Sequence, residues 1–360
     1  HPLEVTAMEL SRKDTTILKG IAILCMVFLH LFATKDLTLY SPNYLINGVP
    51  ATYYLGIMGD ACPTIYLFVT GYAFYTMITN SGSSGVGRNL KRVLKLYVNV
   101  WIILAIFLPI GLATGTFSFS WTRLGLNIVG LENTYNGAWW FVLVYITFVL
   151  LSPVLVKIIR KTHYTALILI SGLIYLLSHI QRYKQIIPPF SNVLIEDLMN
   201  LAVMLGVSLF SYVMGAIFAK EKIFTKLHHL CSRIKFKNTI LISLAVLLVL
   251  FHAVVESSVI APISGVIMIC IYILLDKPKI MDKVLEFFSA HSTNIWLTHM
   301  FFYGTIFRDL TFAPKHPLLV LLWLIAMCIA TSYVIKLITQ PIFTRIDRKP
   351  TVVNVQKIAV

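Results

Sequence analysis

Residues 12–32 read RKDTTILKGIAILCMVFLHLF, a basic head followed by an apolar run that carries one histidine, His30. A run of this length and composition is that of a membrane-spanning helix. A histidine in hydrocarbon is costly, so it is expected to have a task there. Lys19 and His30 are eleven positions apart, which separates them by about 16 Å along a helix rising ~1.5 Å per residue. One residue lies near a membrane face and the other deep inside. The span is therefore expected to join a cytoplasmic anionic ligand to a buried reaction centre.

The composition agrees with that reading. The 360-residue chain is 58% apolar and 12% charged, with a mean hydropathy of +0.82. A soluble domain with a polar surface does not reach such values, and the fold class expected is an all-α polytopic membrane protein. The net charge of +15 would suggest nucleic acid in a soluble protein. Here the basic residues cluster between apolar runs, so they read as topology signals and lipid-facing loops, with no nucleic-acid partner. The cysteines, Cys25, Cys62, Cys231, Cys270 and Cys328, form no CxxC and no His/Cys cluster. Neither a disulfide framework nor a metal site is expected.

Ten apolar runs are long enough to be candidate spans: 17–35, 53–79, 94–113, 138–157, 164–181, 198–219, 239–255, 259–275, 292–307 and 317–339. The seventh and eighth are joined only by ESSV, which demands a tight hairpin; if they form one re-entrant element the count falls. The first run lacks a small-residue cleavage pattern and is expected to be retained. With the N-terminus in the cytoplasm, only Lys35, Arg123, Arg182, Lys184, Arg308 and Lys315 of the 30 lysines and arginines fall outside. That asymmetry is what the positive-inside rule requires, and it places both termini in the cytoplasm. The division expected is one integral-membrane domain over 1–345 and a short basic cytoplasmic tail over 346–360, too short for an appended soluble domain. Tyr53, Tyr54, Trp121, Trp139 and Trp140 suit an interfacial aromatic belt. Pro63 and Pro153 are expected to kink their spans, and Gly56-x2-Gly59 and Gly111-x3-Gly115 permit close helix contacts, although the oligomeric state is not readable.

Buried polar residues carry the chemical information in such a chain. His30 and His299 lie deep in their runs, either as side chains bonded to neighbouring carbonyls or as reactive groups. His252, close to Glu256, reads as interfacial. Asp60 falls at a depth matching that of His30 and is expected either to orient its imidazole or to face the outer water. The loop RNLKRVLK presents Arg88, Lys91, Arg92 and Lys95. These would bind phosphates together with Lys19, or act as stop-transfer charges on anionic lipid.

Several segments, taken in order, resemble the acyltransferase family 3 membrane proteins, ten-helix enzymes that acylate cell-surface carbohydrate. Lys19 and His30 have the R/K-x10-H spacing that opens the family. IYLFVTGYAFY (65–75) resembles its FFVxSGF run, with Thr70 where serine is usual, and Arg92-Val-Leu-Lys95 resembles its RxxR loop, with lysine in the second place. NGAWWFVLVYITFVLLSPVL (136–155) and FFSAHSTNIWLTHMFF (287–302) resemble its tryptophan-phenylalanine span and its late S-x-x-x-Y/W-L-x-H segment. The likeness covers about residues 12–340.

The resemblance implies acetyl-CoA, or another acyl-CoA, as a cytoplasmic donor, and a hydroxyl of an exported or cell-surface carbohydrate or glycolipid as acceptor. It implies a bacterial inner or plasma membrane as the location. By position, His30 would be the catalytic histidine, Lys19 its partner, and Arg92 and Lys95 the contacts to CoA phosphates. Lysine for arginine keeps charge but loses the bidentate fork. His299 is expected to be a second proton carrier or an oxyanion donor. Trp139, Trp140, Glu132, Asn133 and Asn136 are expected to meet the sugar from outside. The rival from another class is a proton-coupled secondary transporter or glycan exporter in which His30, Asp60 and His299 relay protons, although no internal repeat supports it. A membrane sensor or scaffold is a third reading.

Overall fold

The computed structural model describes residues 9–82 and 85–348. Its helices are, in chain order, α1 (Arg12–Phe32), α2 (Ala51–Gly56), α3 (Ala61–Ser81), α4 (Val86–Ala113), α5 (Trp121–Val129), α6 (Trp140–Lys161) and α7 (Tyr164–Lys184). The second half adds α8 (Val193–Lys220), α9 (Ile223–Cys231), α10 (Lys237–Val254), α11 (Ala261–Leu274), α12 (Lys279–Tyr303), α13 (Arg308–Phe312) and α14 (Pro317–Asp347). Strands β1 (Leu45–Ile46) and β2 (Val49–Pro50) make a small antiparallel ribbon in the first outer loop. Its turn is Asn47-Gly48, both with positive φ (51° and 80°), the chemistry a tight hairpin needs.

The architecture is all-α. Eight segments are long and apolar enough to cross a membrane. They are α1, Ala51–Ser81, α4, Gly137–Lys161, α7, α8, α10 and α14. A count of ten rests on two further segments: Ser258–Leu274 is apolar but short, and α12 is long but carries charges along its first turns. Most of the expected tail, residues 349–360, lies outside the described residues, and α14 itself continues to Asp347.

Ion pairs and hydrogen bonds define two faces. On one, Lys13 meets Asp282 and Glu286 at 3.7 and 3.4 Å, Lys95 meets Asp347 at 2.7 Å, and Lys237 meets Asp276 at 2.7 Å. On the other, Lys35 and Tyr53 both reach Glu256 at 2.7 Å, and the Ser41 N–H donates to the Lys315 carbonyl at 2.9 Å. The first face carries the basic loops and is the inner one by the charge rule.

Helix α1 is central. Ser11 caps it, accepting the Asp14 N–H at 3.1 Å while the Asp14 carboxylate accepts the Ser11 N–H at 2.9 Å, a reciprocal capping box. Its residues Leu18, Ala22, Ile23 and Leu31 are fully buried against α3 and α12. Two close approaches fix its neighbours. A Cβ on Gly20 would collide with the backbone of Leu285 on α12, and one on Gly59 would collide with the backbone of Cys25 and with Leu29. The glycines of the Gly56-x2-Gly59 pair thus pack inside the chain, Gly56 against Phe32. Helices α7, α10 and α14 turn apolar side chains such as Leu173, Leu247 and Leu337 outward, as a lipid-facing surface requires.

In the Ala51–Ser81 segment a 3-10 turn, Ile57–Asp60, interrupts the α-helix, and Pro63 follows it in the first turn of α3, where the missing N–H has no intrahelical partner to lose. Pro153 lies inside α6.

Two outcomes follow from this packing. Gly20→Val is expected to overpack the α1–α12 contact at a cost of about 1–3 kcal/mol, read as a lower Tm of the purified protein. An unchanged Tm contradicts the close approach. The hydrogen bonds from Lys35 and then Tyr53 hold the Glu256 carboxyl below the usual carboxylate range. A carboxyl depressed in this way stabilises the fold above the ordinary glutamate value of ~4.3, and the contribution is lost as pH falls through its lowered value. Protection factors for hydrogen exchange in residues 33–50 are expected to be high near neutrality and to fall only on acidification below that ordinary value. Glu256→Gln should show low protection at every pH.

Candidate active site

An eleven-residue separation on a helix of 3.6 residues per turn is three turns and about 20°, so Lys19 and His30 share one face of α1. That face lines a cavity of about 730 Å³ running between the two faces of the bundle. Lys19, Arg92, Lys95 and Phe343 form its inner end, His30 and Asp60 lie on its wall, and Trp140, Tyr175, Arg182, Tyr183 and Ser258 form its outer end.

At His30 the hydrogen bonds determine where protons sit. Nδ1 of His30 is 2.7 Å from Nε2 of His299. The ring centroids are 4.8 Å apart and the planes differ by 1°, so the rings meet edge to edge in one plane. Nδ1 of His299 lies 2.8 Å from the Trp296 carbonyl and 3.1 Å from that of Ile295. Carbonyls only accept, so His299 Nδ1 carries a proton and neutral His299 offers a lone pair at Nε2. His30 must then donate from Nδ1, which leaves its own Nε2 as an unprotonated nitrogen. Among the described residues nothing hydrogen-bonds to that nitrogen. The ring of Tyr303, one turn beyond His299, lies 5.4 Å from that of His30.

Asp60 lines the cavity but does not orient His30, as had been one expectation. Its Oδ2 is 3.0 Å from Nε2 of His252, whose Nδ1 is 3.1 Å from the Val255 carbonyl. The reason is local. Gly59 is the residue of the 3-10 turn that faces α1, and at three residues per turn the next side chain points elsewhere, toward α10. His252, two residues before the end of α10, is buried in the bundle at 1% exposure. Since its Nδ1–H is given to a carbonyl, its Nε2 and Asp60 share one further proton. The other oxygen, Oδ1, is buried with no partner among the described residues. His299, with its N–H given to helix carbonyls, has no proton left for an oxyanion and acts as an acceptor.

The four cationic residues of the basic loop separate. Arg92 and Lys95 line the cavity; Arg88 and Lys91 do not, since α4 begins at Val86 and its first turn projects past the inner mouth. Arg92 donates to Asn89 at 3.0 Å and lies 5.2 Å over Phe74. Lys95 is held by Asp347, while Lys91 reaches only the Asp347 carbonyl at 3.4 Å. Lys19 makes no hydrogen bond or ion pair among the described residues and is exposed to the cavity.

The expected sugar contacts also separate. Trp139 is 2% exposed and its indole N–H donates to the Leu297 carbonyl at 3.0 Å, so no face is open for stacking. Asn136 is likewise buried, donating to the same carbonyl at 2.9 Å and capping the turn at Ala138. Both fix α6 against α12. Trp140 lines the cavity, and Glu132 and Asn133 line a smaller chamber beside it.

Sequence reasoning missed much of the wall: Tyr66, Ser292, Thr293, Trp296, Tyr175 and Arg182. A signal existed for α12, where Ser289, Ser292, Thr293 and Trp296 recur at helical spacing on one stripe. Among the described residues no group of histidine, cysteine and carboxylate side chains could hold a metal ion.

The fold and the cavity together define an integral-membrane protein with acid–base groups inside a chamber between its two faces. The chain belongs to acyltransferase family 3, whose model, described as an acyltransferase domain, matches residues 14–337. It is thus a membrane acyltransferase. No curated protein and no solved structure matches it.

The tautomers are open to direct measurement. Nitrogen-15 spectra of histidine-labelled protein at neutral pH are expected to show Nδ1 protonated and Nε2 bare at both His30 and His299. A protonated Nε2 on His299 contradicts the arrangement.

Proposed function

We propose that the protein moves an acyl group, acetyl in the simplest case, from cytoplasmic acyl-CoA to a hydroxyl of an exported or cell-surface carbohydrate in a bacterial plasma membrane. The observation that carries this is the bare Nε2 of His30 inside a cavity whose inner end is cationic and whose outer end is aromatic and polar. Lys19, Arg92 and Lys95 suit a phosphate-bearing head group as point charges and a fork. An acyl arm entering there would run along the face of α1 that carries both Lys19 and His30, about 16 Å apart along the axis.

The chemistry follows from the proton positions. The acceptor hydroxyl gives its proton to His30 Nε2 as its oxygen attacks the thioester carbon. His30 becomes an imidazolium held at Nδ1–H by the His299 lone pair, so the new charge is stabilised by a group already in place. The carbon–sulfur bond breaks, the departing thiolate takes the proton back from Nε2, and His30 returns to its starting form. His299 thereby does for His30 what a carboxylate does in a hydrolase triad, without adding a second charge to the membrane interior. Trp140 and Tyr183, with Arg182 stacked near both at 5.6 and 5.4 Å, suit a pyranose at the outer end.

Release of CoA thiol from acetyl-CoA by the purified protein, with and without a surface-glycan fraction, tests the reading. His30→Ala is expected to reduce release by about 10²–10⁴-fold while the protein remains inserted and monodisperse. Lys19→Ala is expected to raise the KM for acetyl-CoA. Release that does not depend on His30, or glycan movement without thioester consumption, would turn the assignment to the transporter class.

A further inference from the structure

At 31 residues α14 is longer than the ~20 that cross the hydrocarbon core, and its end reaches the inner mouth of the cavity. Pro341 lies inside it. A proline there lacks the N–H that would bond the Leu337 carbonyl, and its ring crowds that carbonyl, so the helix is weakened at this point. Beyond the proline, Phe343 and Asp347 are four positions apart and share one face, as do Lys91 and Lys95 on α4. The two faces meet. Phe343 lines the mouth with the Lys95 ammonium 5.6 Å over its ring, the Asp347 carboxylate accepts from Lys95 at 2.7 Å, and Lys91 reaches the Asp347 backbone carbonyl at 3.4 Å. Among the described residues these are the polar and ring contacts that the turns after Pro341 make with other helices.

Stability does not account for the carboxylate. In the last turn of a helix it faces unpaired carbonyls and the negative end of the dipole, where a cation is favoured and an anion is not. The side chains of its ion pair are 30% exposed at Lys95 and 58% at Asp347. Pairs so open to water contribute little to a fold. What Asp347 does is place an anion on one of the three cations at the inner end, while Lys19 and Arg92 form no ion pair among the described residues. An ammonium is a point charge that takes a carboxylate or a phosphate oxygen alike.

We propose, resting on the reading that acyl-CoA enters at this mouth, that Asp347 stands in for a donor phosphate on Lys95 and that the turns after Pro341 form a flap which the phosphate displaces. The donor then binds only those molecules in which Lys95 is free, and its apparent affinity falls by that fraction. A weak pair suits the task, because a phosphate ester carries more charge than a carboxylate and can take its place.

The test is a titration of the full chain in detergent with CoA and with pantetheine, which lacks the phosphates, at about 0.15 M salt to screen distant charges. Asp347→Asn is expected to tighten CoA by about two- to fivefold and leave pantetheine unchanged, with Asp347→Glu matching the native chain. Saturating CoA is expected to lower hydrogen-exchange protection over residues 342–348 of the native chain, which simple charge repulsion by Asp347 would not do. CoA affinity that is unchanged or weaker in Asp347→Asn overturns the proposal, as does protection over 342–348 that stays constant or rises with CoA. Either result alongside histidine-dependent thiol release would remove the flap and leave the acyltransferase reading standing. CoA that binds neither the native chain nor the variants, with no thiol release, would sink the acyl-CoA reading and the flap with it.

Discussion

Two imidazoles inside a membrane bundle bring four ring nitrogens into an apolar interior, and the structure depends on how they are partnered. His299 gives its N–H to carbonyls of its own helix and accepts from His30, which in turn leaves one nitrogen open to the cavity. A single proton arrangement satisfies all these contacts with both rings neutral. It also ties α1 to α12, whose axes come close enough only because Gly20 has no side chain to strike the Leu285 backbone. The same crossing that allows the hydrogen bond therefore holds the reactive nitrogen in place, and overpacking it would disturb both.

Around that pair the polar groups fall into two kinds. Trp139, Asn136, His291 and Asn294 are buried and spend their hydrogen bonds on backbone or on Ser332, locking α6 and α14 to α12. Lys19, Arg92, His30 and Arg182 keep charge or lone pairs directed at the chamber. The division reflects the cost of an unsatisfied polar group in an apolar interior: such groups are either consumed by the fold or placed where a ligand or water can reach them. Asp60 and His252 share features of both, bonded to each other yet set in the cavity wall, with one carboxylate oxygen left unpaired.

The membrane character and the all-helical class were legible from composition and run length, because crossing hydrocarbon constrains both strongly. The K-x10-H spacing was legible too, since one helix carries both residues. The partners of those residues were not. Asp60 lies at a suitable depth for His30, but depth along two helices says nothing about rotation, and a short 3-10 turn directs it to His252 instead. Trp139 and Trp140 are neighbours in sequence and equally aromatic, yet one is sealed against Leu297 and the other faces the cavity. Adjacent positions on a helix point about 100° apart, so a motif that names both cannot say which one is available.

By itself, the sequence determined a helical membrane protein, the helix that carries lysine and histidine on one face, and the family. These are properties of single segments, decided by hydrophobicity, periodicity and charge. The tertiary structure alone decided that His299 is the partner of His30, that Asp60 belongs to His252, and that only Arg92 and Lys95 of the basic loop reach the cavity. Those pairings join residues on different helices, up to 269 positions apart in the chain. They depend on helix rotation and crossing distance, which close packing between segments sets and which no one segment encodes.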